Sequence, residues 1–151
     1  MEVVNVFEIA AEGDDTDPAG YRARMARFGP TIGAENLGGS VYELDPGQSV
    51  CPYHYEQPDE EWLIVLTGTP TLRDPEGEHL LAAGDVVCFP EGPDGAHKVT
   101  NNSEALVRIL MLSTKSQTAM AVYPDSNKVG IWPLGKLFRI DDAVDYWDGE
   151  L

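Results

Sequence analysis

Short apolar runs separated by turn residues recur along the middle of this chain. The runs are rich in β-branched, aromatic and aliphatic residues, as β-strands are, and the gaps hold the Gly, Pro, Asp and Asn residues that tight turns need. No long amphipathic helix interrupts the series, so the pattern predicts an all-β fold, an antiparallel jelly-roll β-barrel. The predicted strands are 41–44, 62–66, 69–73, 79–82, 86–90, 98–100 and 106–112.

The length of the chain sets the expected domain organisation. With 151 residues, of which 42% are hydrophobic, it can bury one core, and we expect a single domain over 1–151. Its core is placed at about 37–114, with an N-terminal arm over 1–36 that adds an edge strand and a C-terminal tail over 115–151. The tail carries too many large apolar residues for disorder and should dock as a short helical or irregular segment. Asp141 is expected to cap a short helix that runs through Trp147.

Two predicted strands, WLIVL at 62–66 and the run LVRILML at 106–112, are nearly apolar throughout. Such strands are typical of sheets that are covered on both faces. The barrel interior would cover one face, and another sheet or a partner chain would cover the other. We therefore expect a homodimer.

The charge of the chain excludes one class of partner. Its formal net charge is −16, from 26 acidic and 10 basic residues, so it would repel a phosphate backbone and we expect no nucleic-acid binding. The one basic cluster is Arg22, Arg24 and Arg27. We interpret it as the solvated face of an early strand, with a local anion contact as the alternative.

The sequence also bears on the compartment in which the chain functions. No stretch reaches the length of a membrane span, and the first 15 residues lack the basic region and apolar core of a signal peptide. The expected location is cytoplasmic, without a membrane partner. Both cysteines, Cys51 and Cys88, lie in apolar runs and are expected to be buried, reduced thiols.

Two histidines and two glutamates have the spacing of a metal site. Side chains two apart on a strand point the same way, so His54 and Glu56 should share a face. Glu61 follows a polar turn, and a hairpin would bring it back against them. His97, after a loop rich in Gly and Pro, is the candidate from a distant strand. Imidazole and carboxylate ligands suit Fe(II), Mn(II), Ni(II) or Zn(II), so the pattern predicts one mononuclear site.

These residues lie within two motifs that resemble those of the cupin superfamily, over about a third of the chain. The whole chain is also similar to small bacterial single-domain cupins that share stretches such as CPYHY, EEWLIVL and GDVVCFP. The resemblance implies a cupin barrel in which His54, Glu61 and His97 hold a divalent metal, but it supplies no substrate. The first motif comprises Gly47, His54, Glu56, Glu61 and Gly68, and the second comprises Gly84, Pro90, Gly92, His97 and Asn101.

The chain departs from the cupin pattern at Glu56, which stands where the family has its second histidine. In addition, Gly47 comes one residue early, and the loop from Gly92 to His97 is two residues longer than usual. As a fourth ligand, Glu56 would lower the charge of the site from about +1 to about zero, weaken the metal as a Lewis acid and favour Fe or Mn. As a general base, it would leave the two-histidine, one-carboxylate set that activates oxygen with Fe(II). In a barrel without metal, it would instead pair with a histidine.

Several functions are compatible with such a site. The first hypothesis is a divalent-metal-dependent enzyme, dioxygenase-type, that acts on a small organic molecule in the barrel, with an isomerase or hydrolase as an alternative. Leu63, Val65 and Phe89 would line its apolar pocket. The rival is a non-catalytic binding or sensing cupin, in which the metal is structural or absent. The sequence leaves open whether the chain is an enzyme.

Overall fold

Antiparallel strands make up most of the regular structure in the computed structural model, which describes residues 1–150. The helical segments in this range are four 3-10 turns of three residues each. The predicted all-β fold is therefore confirmed, and the seven predicted strands correspond to β2 and β4 to β9. The strands are β1 Arg24–Arg27, β2 Leu37–Leu44, β3 Tyr55–Gln57, β4 Glu61–Thr67, β5 Thr71–Asp74, β6 Gly77–Leu80, β7 Val86–Phe89, β8 Lys98–Thr100, β9 Val107–Thr114, β10 Met120–Tyr123, β11 Lys128–Ile131 and β12 Lys136–Arg139.

The largest sheet has the strand order β1-β2-β9-β4-β7. Its two longest strands, β2 and β9, pair over their full lengths from Leu37 opposite Thr114 to Leu44 opposite Val107. Because side chains alternate along a strand, one face of this sheet collects the apolar residues that become fully buried. The inner face of the sheet is thus one wall of the core.

Two smaller sheets, β12-β11-β10-β3 and β6-β5-β8, complete the fold. Leu72 on β5 and Val99 on β8 join residues of the large sheet in one apolar cluster, so the β6-β5-β8 sheet and the large sheet share a core. The buried members of that cluster are Leu44, Leu63, Leu72, Phe89, Val99, Val107, Ile109 and Met111.

The N-terminal arm covers the outer face of the large sheet. Val4, Val6 and Ile9 pack with the buried cluster formed by Ala26, Phe28 and Val41. The expectation of another sheet or a partner chain on this face is therefore wrong where the arm lies, because the chain supplies its own cover. A homodimer stays a prediction, which size-exclusion chromatography with light scattering would test.

A buried arginine fixes the arm to the sheet. Arg108 on β9 donates from Nε to the carbonyl of Val6 at 2.9 Å and from Nη2 to that of Ile9 at 2.6 Å. Its Nη1 forms an ion pair with Glu43 on β2. Arg24 pairs with the other oxygen of the same carboxylate, at 3.0 Å.

The C-terminal tail joins the fold through β10, which pairs with β3, but its form differs from the prediction and many of its large apolar residues are exposed, among them Leu134, Leu137, Val144 and Trp147. Strands β10, β11 and β12 form a meander, and the expected helix from Asp141 through Trp147 is replaced by a 3-10 turn over Ile140–Asp142. Short turns that begin near a proline and end in a left-handed residue connect these strands. Those residues are Asn127, with φ of 51°, and Gly135, with φ of 61°, which are types that tolerate this conformation.

The cysteines only partly match the expectation. Both thiols are free, but Cys88 is exposed, since its side chain lies on the face of β7 opposite the buried Phe89. Cys51 is half-buried beside His54. Within residues 1–150, no helix is long and apolar enough to cross a membrane.

Candidate metal centre

A backbone bridge between His54 and His97 brings the two halves of the site together. The N–H of His54 donates to the carbonyl of His97 at 3.1 Å, and the reverse bond measures 2.8 Å. The expected hairpin that joins His54, Glu56 and Glu61 is wrong, because β3 pairs with β10 while β4 pairs with β7 and β9. Glu61 instead reaches the histidines from the neighbouring sheet.

The orientation of both imidazoles is set by the backbone. Nδ1 of His54 lies 3.1 Å from the carbonyl oxygen of Pro52, and Nδ1 of His97 lies 2.9 Å from that of Gly95. A carbonyl oxygen only accepts, so each Nδ1 carries the proton and each Nε2 keeps a free lone pair. The ring of Phe89 stacks on His97 at 3.7 Å between centroids and holds it in place. Metal-binding histidines almost always donate their other ring N–H to an oxygen in this way, which fixes the direction of the free nitrogen.

Both free nitrogens face one carboxylate. The Oε2 atom of Glu61 lies 3.9 Å from Nε2 of His54 and 3.5 Å from Nε2 of His97. One ligand atom from each of the three residues lies within 4.8 Å of the others. The structure therefore places His54, Glu61 and His97 where one ion could contact all three.

The electrostatics of this group fit a divalent cation. Within residues 1–150, Oε2 of Glu61 is buried and has no hydrogen-bond partner. Burial, followed by the charges of Glu56 and Asp59, raises the pKa of Glu61 to about 8. Burial also lowers the pKa of His54 and brings that of His97 to about 3, so both rings are neutral donors near pH 7. A cation would supply the missing partner of the carboxylate.

Glu56 lies beside the three-residue group. Its Oε1 is 3.7 Å from Nε2 of His54, and its side chain lines the adjoining pocket. Burial raises the pKa of Glu56 to about 7, and the charge of Asp59 adds to this, whereas a hydrogen bond from Trp132 opposes it. The structure thus brings all four predicted site residues together, with His54, Glu61 and His97 as the compact set.

The pocket beside Glu61 has a volume of ≈530 Å³, which is in the usual range for small-molecule sites. Its wall includes Tyr42, Glu56 and Trp132. The predicted apolar lining is wrong for Leu63, Val65 and Phe89, since all three are buried in the core and none lines this pocket. The pocket is more polar than the sequence suggested.

Sequence reasoning missed three residues close to the site. Tyr123 from β10 stacks on His54 with 5.7 Å between ring centroids, and Trp132 comes from the turn after β11. Asp59 is buried and accepts bonds from the Thr114 hydroxyl and the Ser116 N–H, both at 2.9 Å. The richness of the tail in aromatic residues indicated docking, but it gave no signal for the docking position.

The comparisons with known proteins agree with this architecture. The family model described as a cupin domain matches residues 40–113, which contain all four site residues. This match, which covers just under half of the chain, identifies residues 40–113 as a cupin domain. No curated protein matches it.

Solved structures share the fold over nearly the whole chain. A sugar phosphate isomerase of the cupin superfamily from Silicibacter pomeroyi has 24% identity and a TM-score of 0.81, and the match covers 97% of this chain and 98% of that one. A putative sugar phosphate isomerase from Acidithiobacillus ferrooxidans has 22% identity and a TM-score of 0.81, with 93% and 91% covered. The polyketide cyclase RemF from Streptomyces resistomycificus has 20% identity and a TM-score of 0.62, with 76% and 79% covered. All three support the cupin barrel.

Proposed function

We propose that this cupin is a divalent-metal-dependent isomerase that moves a proton within a small hydroxylated carbonyl compound. The observation that carries the proposal is the convergence of His54, His97 and Glu61 beside a polar pocket that also exposes Glu56. The three converging residues would hold the ion. A bound ion would polarise a carbonyl or hydroxyl oxygen of the substrate.

Glu56 is the group proposed to accept and return the proton. Its carboxylate lines the pocket next to the metal-binding set, and its pKa of about 7 suits proton transfer near neutral pH. Trp132 lies on the same pocket wall as Glu56 and acts against the rise in the pKa of that carboxyl. The nearby charge of Asp59 favours the protonated form of Glu56, so it strengthens Glu56 as the base that takes the proton from one carbon of the substrate before giving it to another.

The character of the pocket supports an isomerase over the dioxygenase expected first. Hydroxyl groups of Ser40, Tyr42 and Ser113 line the wall, and such groups suit a substrate with several hydroxyls. The two structural neighbours with TM-scores of 0.81 bear the name sugar phosphate isomerase, in one case as putative. These names give a substrate class worth testing.

A dioxygenase remains the second candidate, because a set of two histidines and one carboxylate is the ligand group associated with oxygen-activating Fe(II). The rival outside enzymology is a binding or sensing barrel. Metal-dependent turnover separates the two enzymes from the binding barrel, and oxygen consumption against deuterium uptake separates the dioxygenase from the isomerase.

The experiment begins with metal analysis of untagged protein, followed by loading with Mn²⁺, Fe²⁺, Ni²⁺ or Zn²⁺. Each form is incubated in D₂O with aldoses, ketoses and their phosphates, and NMR detects isomerisation and deuterium uptake at carbon. We expect turnover only with metal. Glu56→Gln should reduce turnover by at least about a hundredfold. It should retain the metal, and Glu60→Gln is the matched control.

Three outcomes would contradict the proposal. Oxygen consumption without deuterium uptake would favour the dioxygenase. Tight substrate binding without turnover, unchanged when metal is removed, would indicate a binding barrel. Loss of metal from Glu56→Gln would make Glu56 a ligand and remove it as the base.

A further inference from the structure

Two basic residues, Arg27 and Lys115, line the pocket together with Glu56 and Glu61. Three of the other arginines are neutralised by ion pairs: Arg24 pairs with Glu43 and Asp45, Arg73 with Asp125, and Arg108 with Glu43. Within residues 1–150, neither Arg27 nor Lys115 forms an ion pair or a side-chain hydrogen bond. In a chain of net charge −16, two unpaired cations on one pocket wall are a distinctive feature.

The register of the large sheet places Arg27 on the same face as the metal-binding glutamate. Arg27 on β1 lies opposite Ser40 on β2, which lies opposite Met111 on β9. Ser113, two residues along β9, lies opposite Glu61 on β4. Residues that pair across strands, and residues two apart on one strand, share a face. Arg27 and Glu61 are therefore on one face, three strand spacings or roughly 14 Å apart across the sheet, and offset by two residues along it.

Between these two ends the pocket wall is formed by small residues, Gly38, Ser40 and Ser113. Gly38 lies opposite Ser113 in the β2–β9 pair, and this position has no room for a Cβ atom, which would come within 2.7 Å of the Ser113 Oγ. The charge of Arg27 also reaches into the pocket, since it acts against the burial that raises the pKa of Tyr42 to about 12. An extended molecule could thus lie along this wall, with one end near Glu61 and the other near Arg27.

We propose that Arg27 and Lys115 bind a phosphoryl or carboxylate group of the substrate, while its hydroxyl or carbonyl end lies at the metal-binding residues. The contact of the substrate with the metal-binding residues rests on the proposed function. The binding of its anionic group by Arg27 and Lys115 rests on the pocket alone. The substrate class is then a short polyhydroxylated carbonyl compound that carries an anionic group. Guanidinium and ammonium groups bind such oxyanions through charge-assisted hydrogen bonds.

Three-carbon compounds that differ in their anionic group test whether Arg27 and Lys115 bind that group. Glycerol 3-phosphate, glycerate and glycerol are titrated into the chain as purified, and again after Zn²⁺ loading, with NMR or calorimetry as the readout. We expect glycerol 3-phosphate or glycerate to bind more tightly than glycerol. Arg27→Gln and Lys115→Gln should each weaken that binding by about tenfold and leave glycerol unaffected. The stronger of the two anionic probes identifies the group as phosphoryl or carboxylate.

The controls are Lys136→Gln and Arg139→Gln, because they remove the same charge at exposed positions on β12, away from this pocket. Equal weakening in all four variants would mean that only net charge matters and would overturn the inference. No difference between anionic and neutral probes would overturn it too.

The inference and the proposed function can fail separately. If anion binding depends on Arg27 and Lys115 but no carbonyl compound is isomerised, the anion-binding site is supported and the isomerase function is contradicted. If neutral and anionic substrates are isomerised equally and Arg27→Gln leaves KM unchanged, the isomerase function is supported and the anion-binding site is contradicted.

Discussion

His54 and His97, 43 positions apart in the sequence, are paired through two reciprocal backbone hydrogen bonds of 3.1 and 2.8 Å, and their rings lie 4.7 Å apart. The bridge connects residues of the first and second motifs directly. Since both Nδ1 atoms bond to local carbonyls, both Nε2 atoms are left for Glu61 or an ion. The spacing of the two donors is therefore fixed by main-chain geometry.

The first prediction concerns metal affinity. Glu61→Gln should weaken divalent-metal binding by more than about a hundredfold, because it removes the one charged ligand of the compact set. Calorimetric titration of the metal-free protein measures the change. Glu60→Gln is the control, since Glu60 is exposed and accepts a bond from Trp62. Equal metal affinities in the two variants would show that Glu61 is not a metal ligand.

The second prediction concerns the pH dependence of stability without metal. The pKa values of Glu61, about 8, and Glu56, about 7, exceed their ordinary value of 4.5. The folded chain therefore holds more protons than the unfolded chain, and stability falls as pH rises through these values. The lowered pKa values of the histidines act in the opposite direction, but only below about 6.5. Between pH 6.5 and 8 only the effect of Glu56 and Glu61 on stability is left, so Tm should fall by a few °C as the pH rises.

Thermal melts of the metal-free protein across this pH range measure the effect. Glu61→Gln should flatten the decline, because the amide mimics the protonated carboxyl, and Glu60→Gln should retain it. Saturating divalent metal should restore stability at pH 8, since an ion that binds only the folded state stabilises it. A Tm that rises from pH 6.5 to 8 in metal-free wild type would contradict this account.

The third prediction concerns the N-terminal arm. Arg108→Ala should lower the free energy of unfolding by about 3 kcal/mol, because it breaks a buried ion pair and leaves two carbonyls without their donor. Amide hydrogen exchange should also speed up over 4–11, where the arm packs on the sheet. Urea unfolding measures the loss. Arg73→Ala removes a much more exposed pair with Asp125 and should cost less than about 1 kcal/mol.

The fourth prediction concerns Asn101, which is fully buried next to the strand end that precedes it. Its amide donates to the carbonyls of Leu44 and Ala105, and its Oδ1 accepts bonds from Ser103. Asn101→Asp should cost about 2–4 kcal/mol at pH 7, because a carboxylate cannot donate to those carbonyls. Asn102→Asp, with its exposed amide, should change stability by less than about 1 kcal/mol. Similar urea midpoints for the two variants would show that Asn101 is not a structural anchor.

The strands of the barrel could be predicted because their signals are local. Alternating or continuous apolar runs between turn residues placed β2 and β4 to β9 close to their observed positions. The short strand β3 and the meander of β10, β11 and β12 were missed, although β5 to β8, which are just as short, were found. The turns that end at Asn127 and Gly135 are the local signal by which that meander could have been found.

By itself, the sequence determined the fold class and the four candidate site residues, because His54, Glu56, Glu61 and His97 occur at motif spacings that a resemblance to cupins makes specific. Only the tertiary structure decided how they meet. The histidines bridge each other, Glu61 arrives from a different sheet, and Tyr123 and Trp132 arrive from the tail. The physical reason is that strand order and docking depend on long-range packing, and the same local pattern is compatible with several pairings.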